Sequence, residues 1–337
     1  MKNKTSFVIA AALTLSAGSV FAQSSSASLN KAANTSTSKI DDLKKPTEKL
    51  KDIDEEITDA RMRATLGSKS RWSFKSSLSY SGGSVQEPLS SVRPAYRTSS
   101  TDEAMAYLSG DVGVNVRVGD RDSISFGTGL AINDPLHGDI TKPAIDKRDG
   151  ANDETLPRYE ISTPYIGWSR GYKALGSQMI SSVTYSHYTD SDSAKRSLLG
   201  SVSFSQTVLA NFGTSKWNGG VSVSGGKTLY SGDVTDARWK SLIARGKYSR
   251  SDINVGLFPF LQYSFNDTLS FRTVFGYFQF YKYEVNDRYI QIEPYQSVGT
   301  GISITRDIYL YPNVQFTPKD IRADRTNVAL SANINLF

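Results

Sequence analysis

The one stretch with the makings of a catalytic group is Tyr185-Ser186-His187-Tyr188-Thr189-Asp190-Ser191-Asp192. An imidazole, a hydroxyl two residues on and two carboxylates are the raw material of acyl transfer, which needs a nucleophile, a base and an orienting group that meet in space. Here the hydroxyl at that spacing is Thr189, and no neighbouring strand offers an evident partner. His137 lies in a loop with Asp134, Asp139, Asp146, Asp149, Asp153 and Glu154, oxygen donors that suit a hard cation. Their spacing follows no ligand pattern and reads as a solvated acidic loop, so no metal site is assigned. Ser224-Gly225-Gly226-Lys227 lacks both the spacing and the following helix of a phosphate loop. No catalytic residue and no cofactor is assigned.

The elements that carry these fragments are strands. From Gly67 onward the hydrophobic period is two, with runs at 71–81, 104–118, 123–132, 158–170, 177–188, 197–212, 217–228, 252–265, 268–283, 289–305, 308–316 and 326–337. In the last run Val328, Leu330, Ala332, Ile334 and Leu336 share one face and Asn327, Ala329, Ser331, Asn333 and Asn335 the other. Short turns (119–120, 171–176, 213–216, 266–267, 306–307) alternate with longer polar connections (82–103, 133–157, 189–196, 229–251, 284–288, 317–325). This alternation fits a barrel with short turns at one end and long loops at the other. The expected fold is all-β, an antiparallel transmembrane barrel of about twelve strands over 70–337.

Composition agrees with that reading. The chain has no cysteine, two histidines and a net charge of +6. Removing Lys2 and Lys4 leaves about +4, and without a clustered basic stripe this gives no case for nucleic acid. Residues 1–22 read as a secretory signal peptide, with an apolar Phe7–Val20 and a Val20-Phe21-Ala22 cleavage site. Residues 23–37 are a Ser-rich leader. Residues 38–67 carry dense charge with Leu43, Leu50, Ile53, Ile57, Ala60 and Ala64 at helical spacings, opened by Pro46 and ended by Gly67. An even strand number places this helix at the short-turn end, as a periplasmic segment lying on its own barrel or a short coiled coil joining copies. Asp54 and Arg61 interrupt a strict heptad.

The terminal strand, with its alternate apolar residues and final Leu336-Phe337, resembles the closing strand of Gram-negative outer-membrane β-barrels. That resemblance implies an assembly signal at Leu336 and Phe337, the barrel-assembly machinery and outer-membrane lipid as partners, and a periplasmic N-terminal segment. The His187–Thr189 spacing is similar to the His-and-Ser pair of outer-membrane lipid hydrolases, with Thr in place of Ser. The outline of a charged helical leader before a porin-sized barrel is similar to porin-like proteins of predatory bacteria that form rings around trapped lipid.

The inferred lumen face is small and polar: Ser123, Ser125, Gly127 and Gly129; Ser201, Ser203 and Ser205; Gly220, Ser222 and Ser224; Ser297, Gly299, Gly301 and Ser303. A barrel of this size lined so is expected to hold water unless a loop or the N-terminal segment plugs it. Charged pore-lining candidates are Asp111, Arg117, Glu160, Asp252, Arg272, Lys282 and Glu293. The runs 252–265 and 268–283 break the pattern, with Phe258, Phe260, Phe278 and Phe280 on the side that should be polar. An aromatic girdle with a slip in register, contact with another protomer, or a greasy slide for an apolar solute would each account for them. Passive, porin-like diffusion of small polar solutes is the first functional expectation. The second is a structural homo-oligomer assembled through Leu50, Ile53 and Ile57 of the helix and Phe258, Phe260, Phe278 and Phe280 of the wall. The third is a lipid hydrolase using His187.

Overall fold

A computed structural model of the chain describes residues 53–94, 96–97, 103–137, 158–237, 240–241, 250–284 and 289–337. Leu50 and the stretches expected to be a signal peptide and a Ser-rich leader lie outside the described residues. A single 3₁₀ turn, Ile53–Glu55, is followed by α1 (Ala60–Leu66). The strands are β1 (Trp72–Ser84), β2 (Val92–Pro94), β3 (Glu103–Met105), β4 (Tyr107–Arg117), β5 (Asp122–Asn133), β6 (Tyr159–Ala174), β7 (Ser177–His187) and β8 (Leu198–Asn211). They continue with β9 (Trp217–Tyr230), β10 (Ser251–Ser264), β11 (Leu269–Gly276), β12 (Phe278–Tyr283), β13 (Tyr289–Gln291), β14 (Tyr295–Ser303), β15 (Ile308–Phe316) and β16 (Asn327–Leu336). A short helix, α2 (Ser191–Lys195), lies in the connection between β7 and β8.

Consecutive wall strands pair antiparallel, β1 pairs with β16, and the sheet is a closed twelve-strand barrel. β2 and β3 form a separate hairpin within one long loop. β10 pairs with β11 along one half and with β12 along the other, so β11 and β12 are two pieces of one wall strand. β13 and β14 are likewise two pieces of the next. Closure leaves no unpaired edge, which is the condition for a sheet to sit in hydrocarbon.

Burial follows period two. On β16, Asn327, Ser331, Asn333 and Asn335 are buried while Leu330 and Leu336 are exposed. On β6 to β8 the exposed set is Ile166, Trp168, Val183, Tyr185, Val202 and Phe204. The polar face therefore points into the barrel and the apolar face out, the arrangement of a barrel in lipid and the inverse of a soluble one. Val114, paired with Phe74 on β1 and Phe126 on β5, lies on the outer face.

Val114→Arg is expected to cost about 2–4 kcal/mol in denaturant unfolding from lipid vesicles, the range for a cation on the lipid face near mid-bilayer. Ser203→Arg, on the inward face of β8, is expected to leave the unfolding midpoint nearly unchanged.

Candidate functional site in the lumen

The N-terminal segment is inside the barrel. The expectation of a periplasmic helix lying against the barrel or joining copies is corrected for residues 53–66: Ile57, Ala60, Arg61, Met62 and Ala64 are almost fully buried in the lumen at the short-turn end. Ile53, Ile57, Met62 and Leu66 form one apolar cluster with Ile180, Leu209, Phe258, Phe260, Val274 and Tyr295 of the wall. Ala60 and Ala64 lie against Tyr309 and Tyr311, their small side chains letting the helix approach the rings closely.

Both helix ends are finished by the wall. Asp59 caps the N-terminus, its Oδ1 accepting from Met62 N at 3.0 Å. Gln178 of β7 accepts from the backbone N–H groups of Thr58 (2.8 Å) and Asp59 (3.0 Å) and donates to the Thr58 hydroxyl. A helix of any length leaves its last carbonyls unpaired. Here Asn335 Nδ2 donates to Ala64 O, Asn115 Nδ2 to Leu66 O at 3.2 Å and Arg306 Nη1 to Gly67 O at 2.7 Å. Gly67 has φ +104°, and a side chain there would run into the Asn115 amide, so the turn out of the helix requires glycine.

Ion pairs complete the lower rim. The Arg306 guanidinium grips Asp54 through two hydrogen bonds, Nε to Oδ2 at 2.9 Å and Nη2 to Oδ1 at 2.7 Å. Arg121 pairs with Glu56 at 2.6 Å. Deeper in the lumen, Asp59 and Arg61 meet Arg272, which is 0 % exposed and stacks over the Phe260 ring at 4.4 Å. Burial pushes the Asp59 carboxyl up to about 7, against the pull of the Met62 N–H and the charges of Arg272, Arg61 and Arg63. Burial, reinforced by the like charge of Arg272, holds Arg61 well below its ordinary range.

A second inward element narrows the long-loop end. The Tyr96 hydroxyl donates to Gln315 Oε1 at 2.7 Å, and its ring meets Tyr295 edge-on. Arg97 donates to Gln279 Oε1 (2.7 Å) and to the Glu293 carbonyl (3.4 Å), with its guanidinium over the Tyr295 ring. One wall escapes this packing. Ser182 faces Ser205, Thr184 faces Ser203 and Ser205 faces Ser224 across β7 to β9, and these positions are only half-buried. Beyond Gln178, Ile180 and Leu209, which pack on the segment, the lumen is thus two-sided, aromatic and filled along β10, β11, β14 and β15, and small and hydroxylic along β7 to β9.

The seven charged candidates separate. Asp111 lies on the inner face beside Lys75, within 3.4 Å of the Tyr165 hydroxyl. Arg117 is also inward and donates to Lys69 O at 3.0 Å, below the helix. Glu160 faces inward opposite Ala131. Arg272 lies in the buried cluster described above. Asp252 lies at an irregularity at the loop end of β10, paired with Lys227. Glu293 lies between β13 and β14, 3.3 Å from Lys319 of the next long loop. Lys282 is corrected: it shares the outer face of β12 with Phe278 and Phe280, which pair with the outward Leu257 and Val255.

That correction has one cause. β11 directs Ser270, Arg272, Val274 and Gly276 inward, whereas β12 directs Gln279 inward, so the alternation shifts by one at Tyr277. Slippage of register accounts for Phe278 and Phe280, while Phe258 and Phe260 are truly inward. Phe258, Phe260, Ile53 and Ile57 are therefore closed off from any second copy, a correction to their assignment as oligomer contacts. Leu336 faces outward and Phe337 is exposed. The ring of His187 lies 3.5 Å from the Tyr185 hydroxyl, and Thr189 accepts from Thr163 N at 3.1 Å, so the expected hydroxyl is engaged elsewhere. His137 pairs with Asp134 at 2.6 Å, and Asp139, Asp146, Asp149, Asp153 and Glu154 lie outside the described residues. Asp59, Gln178, Arg306, Asn115 and Asn335, the residues that hold the helix, were not singled out from sequence for this role. The one hint was that Asp54 and Arg61 fall where a coiled-coil seam should be apolar.

No protein-family model matches the chain, and no curated protein matches it in sequence. Among solved structures it is similar to an outer membrane channel from Pseudomonas putida F1 (9 % identity, 80 % of this chain and 98 % of that chain, TM-score 0.47). It is also similar to the NanC porin (10 %, 78 % and 100 %, TM-score 0.40) and to OmpF of Salmonella typhi, described as a complex with daunomycin (8 %, 81 % and 99 %, TM-score 0.34).

Because the Asp59 carboxyl is raised in the docked helix, its contribution to docking is fully present near pH 4 and is lost as pH rises through about 7. The melting temperature of the wild type, followed by heat-modifiable mobility, is expected to fall relative to Asp59→Asn between pH 4 and pH 8; parallel curves would contradict this.

Proposed function

We propose that the chain is an outer-membrane, porin-like channel for small polar solutes, shut in the conformation described by its own residues 53–66. The observation that carries this reading is the two-sided lumen. One wall of Ser and Thr pairs is left half-buried along β7 to β9 beyond Ile180 and Leu209, while the rest of the lining is occupied by a segment that ends in side-chain hydrogen bonds and ion pairs. Hydroxyls on that wall can replace part of a solute's hydration shell without a fixed charge to trap it, a requirement for passage in both directions. Asp111 with Lys75 and the other inward charges are of both signs, which supports weak ion selectivity. The N-terminal residues preceding the lumen segment face the periplasm in this reading, and Leu336 with Phe337 serves the assembly machinery.

Opening requires the segment to leave, and its attachments are of a kind that can be undone. The segment contributes no strand to the barrel sheet, and Asn115, Asn335, Arg306 and Gln178 hold it through single side chains.

In planar bilayers in potassium chloride, the refolded wild type is expected to be closed for most of the record. Arg306→Ala combined with Asn335→Ala is expected to raise the open fraction well over about tenfold, since four hydrogen bonds to the segment, three of them from the Arg306 guanidinium, are lost from the closed state only. Equal, near-zero conductance in both proteins, each shown to be folded by heat-modifiability, would remove the channel reading.

A further inference from the structure

Two neighbouring wall strands are interrupted at the same height. β11 stops at Gly276 and β12 restarts at Phe278; β13 stops at Gln291 and β14 restarts at Tyr295. The ladder between these strands runs up to Gly276 opposite Tyr295 and resumes only at Phe280 opposite Gln291. On the other flank, β10 pairs with β11 from Phe260 and with β12 from Leu257, leaving Phe258 and Pro259 between the two registers. Pro259 has no N–H to give to a ladder, and Pro294 stands at the matching point before β14. The interruption is written into the chemistry of the chain. It lies near the middle of β10, at a depth where lipid offers no hydrogen bonds.

Backbone that is irregular at membrane depth persists only when protein satisfies it. Here side chains take over from the ladder. Gln291 Nε2 donates to Tyr277 O at 2.8 Å from the outer side, and Arg97 reaches from the lumen side to Gln279 Oε1 and Glu293 O. Ile292 N donates to Gln279 O at 2.9 Å, a lone backbone bond across the interval. The surroundings are apolar on both sides. Outside stand Leu257 and Phe278, the latter 49 % exposed; inside stand Phe258 at 3 % and Tyr295 at 4 %. The Tyr295 ring lies where a side chain on Gly276 would be, so it abuts the interruption directly.

We propose that this interruption is a lateral passage between the lumen and the surrounding lipid, used by an amphipathic solute with an aromatic or alkyl body, and held closed by the side chains of Arg97 and Gln291. Besides these side chains, Ile292 N to Gln279 O is the one backbone bond inside the interval among the described residues, so the interval can part while the ladders on either side stay paired. The two-sided lumen matches such a solute, with hydroxyls along β7 to β9 for its polar groups and rings at Tyr295 and Phe258 for its body. The proposal rests on the reading of the chain as a membrane channel and adds a second exit to it.

The test uses the full-length protein in cells whose lipopolysaccharide leaflet retards apolar molecules and whose own general porins are deleted. N-phenyl-1-naphthylamine, dim in water and bright in a bilayer, reports delivery into the membrane; the polar β-lactam nitrocefin, hydrolysed in the periplasm, reports axial passage. Arg97→Ala and Gln291→Ala, singly and together, are compared with wild type at equal amounts of heat-modifiable, folded protein. The expected result is an initial naphthylamine rate higher by about tenfold or more in the double variant, which loses the two hydrogen bonds of Arg97 and the one of Gln291 from the closed state. A smaller rise is expected in Gln291→Ala, which leaves the lumen constriction in place and nitrocefin hydrolysis unchanged. An equal rise of both probes in Gln291→Ala, whose lumen constriction is intact, would show that axial opening has occurred and would overturn the lateral passage. No rise of the naphthylamine rate in any folded variant would overturn it too. If that failure comes with normal potassium chloride currents from the Arg306 and Asn335 variants, the channel stands and only its side exit falls. Gln291→Ala, which removes one surface amide, keeps the test decisive if Arg97→Ala fails to fold.

Discussion

Hydrocarbon supplies no partner for a peptide group, and this single constraint arranges the rest of the molecule. It requires the sheet to close, so β10 must reach β11 and β12 while β1 reaches β16. Closure creates an interior that lipid does not fill, and the interior then needs either water or protein. Along β7 to β9 the lining is too small to fill it. Along β10 to β15 rings and the N-terminal segment fill it, and the same rule recurs at smaller scale: at the end of α1 the Ala64, Leu66 and Gly67 carbonyls are met by Asn335, Asn115 and Arg306. Where the wall departs from a ladder at Tyr277, Gln291 and Arg97 meet the requirement instead.

The charged cluster of Asp59, Arg61 and Arg272 is the costly part of this interior. Removing charges from water is repaid only when the partners are in place, and breaking such a cluster is worse than never having formed it. Its contribution is therefore better understood as specificity than as net stability. A helix that entered in another register would leave Arg272 buried against Phe260 and Tyr311 with no carboxylate near it. The apolar contacts of Ile57, Met62 and Leu66 favour entry, and the charges restrict how entry can end.

The barrel was legible because its signals are local. Alternation in β16, the twelve runs, and the succession of short and long connections each need only a few adjacent residues, and the strand ends fall within a few positions of the expected ones. What sequence left open depends on contacts between distant positions. Ile53 and Ile57 read as a stripe needing a cover, and nothing near them says that the cover is Phe258, Phe260 and Val274, some two hundred residues on. The parity shift at Tyr277 was visible only as a conflict, with aromatics on both faces of one run. Once the shift is placed, Phe278, Phe280 and Lys282 belong to the outside, and the conflict shrinks to Phe258 and Phe260, which the lumen segment resolves. Gln178 and Asn335 carried no sequence signal at all, because an amide on a polar face looks the same whether it meets water or a helix end.

The position of Asn335 has a consequence for how the molecule is put together. It belongs to β16, the strand that meets β1 at the seam, yet its amide is committed to Ala64, a residue made before any strand. Seam and segment are thus joined through the same strand. The strand that ends the sheet is therefore also the one that holds the earliest-made residues, so closing the seam and seating the segment draw on the same ten residues.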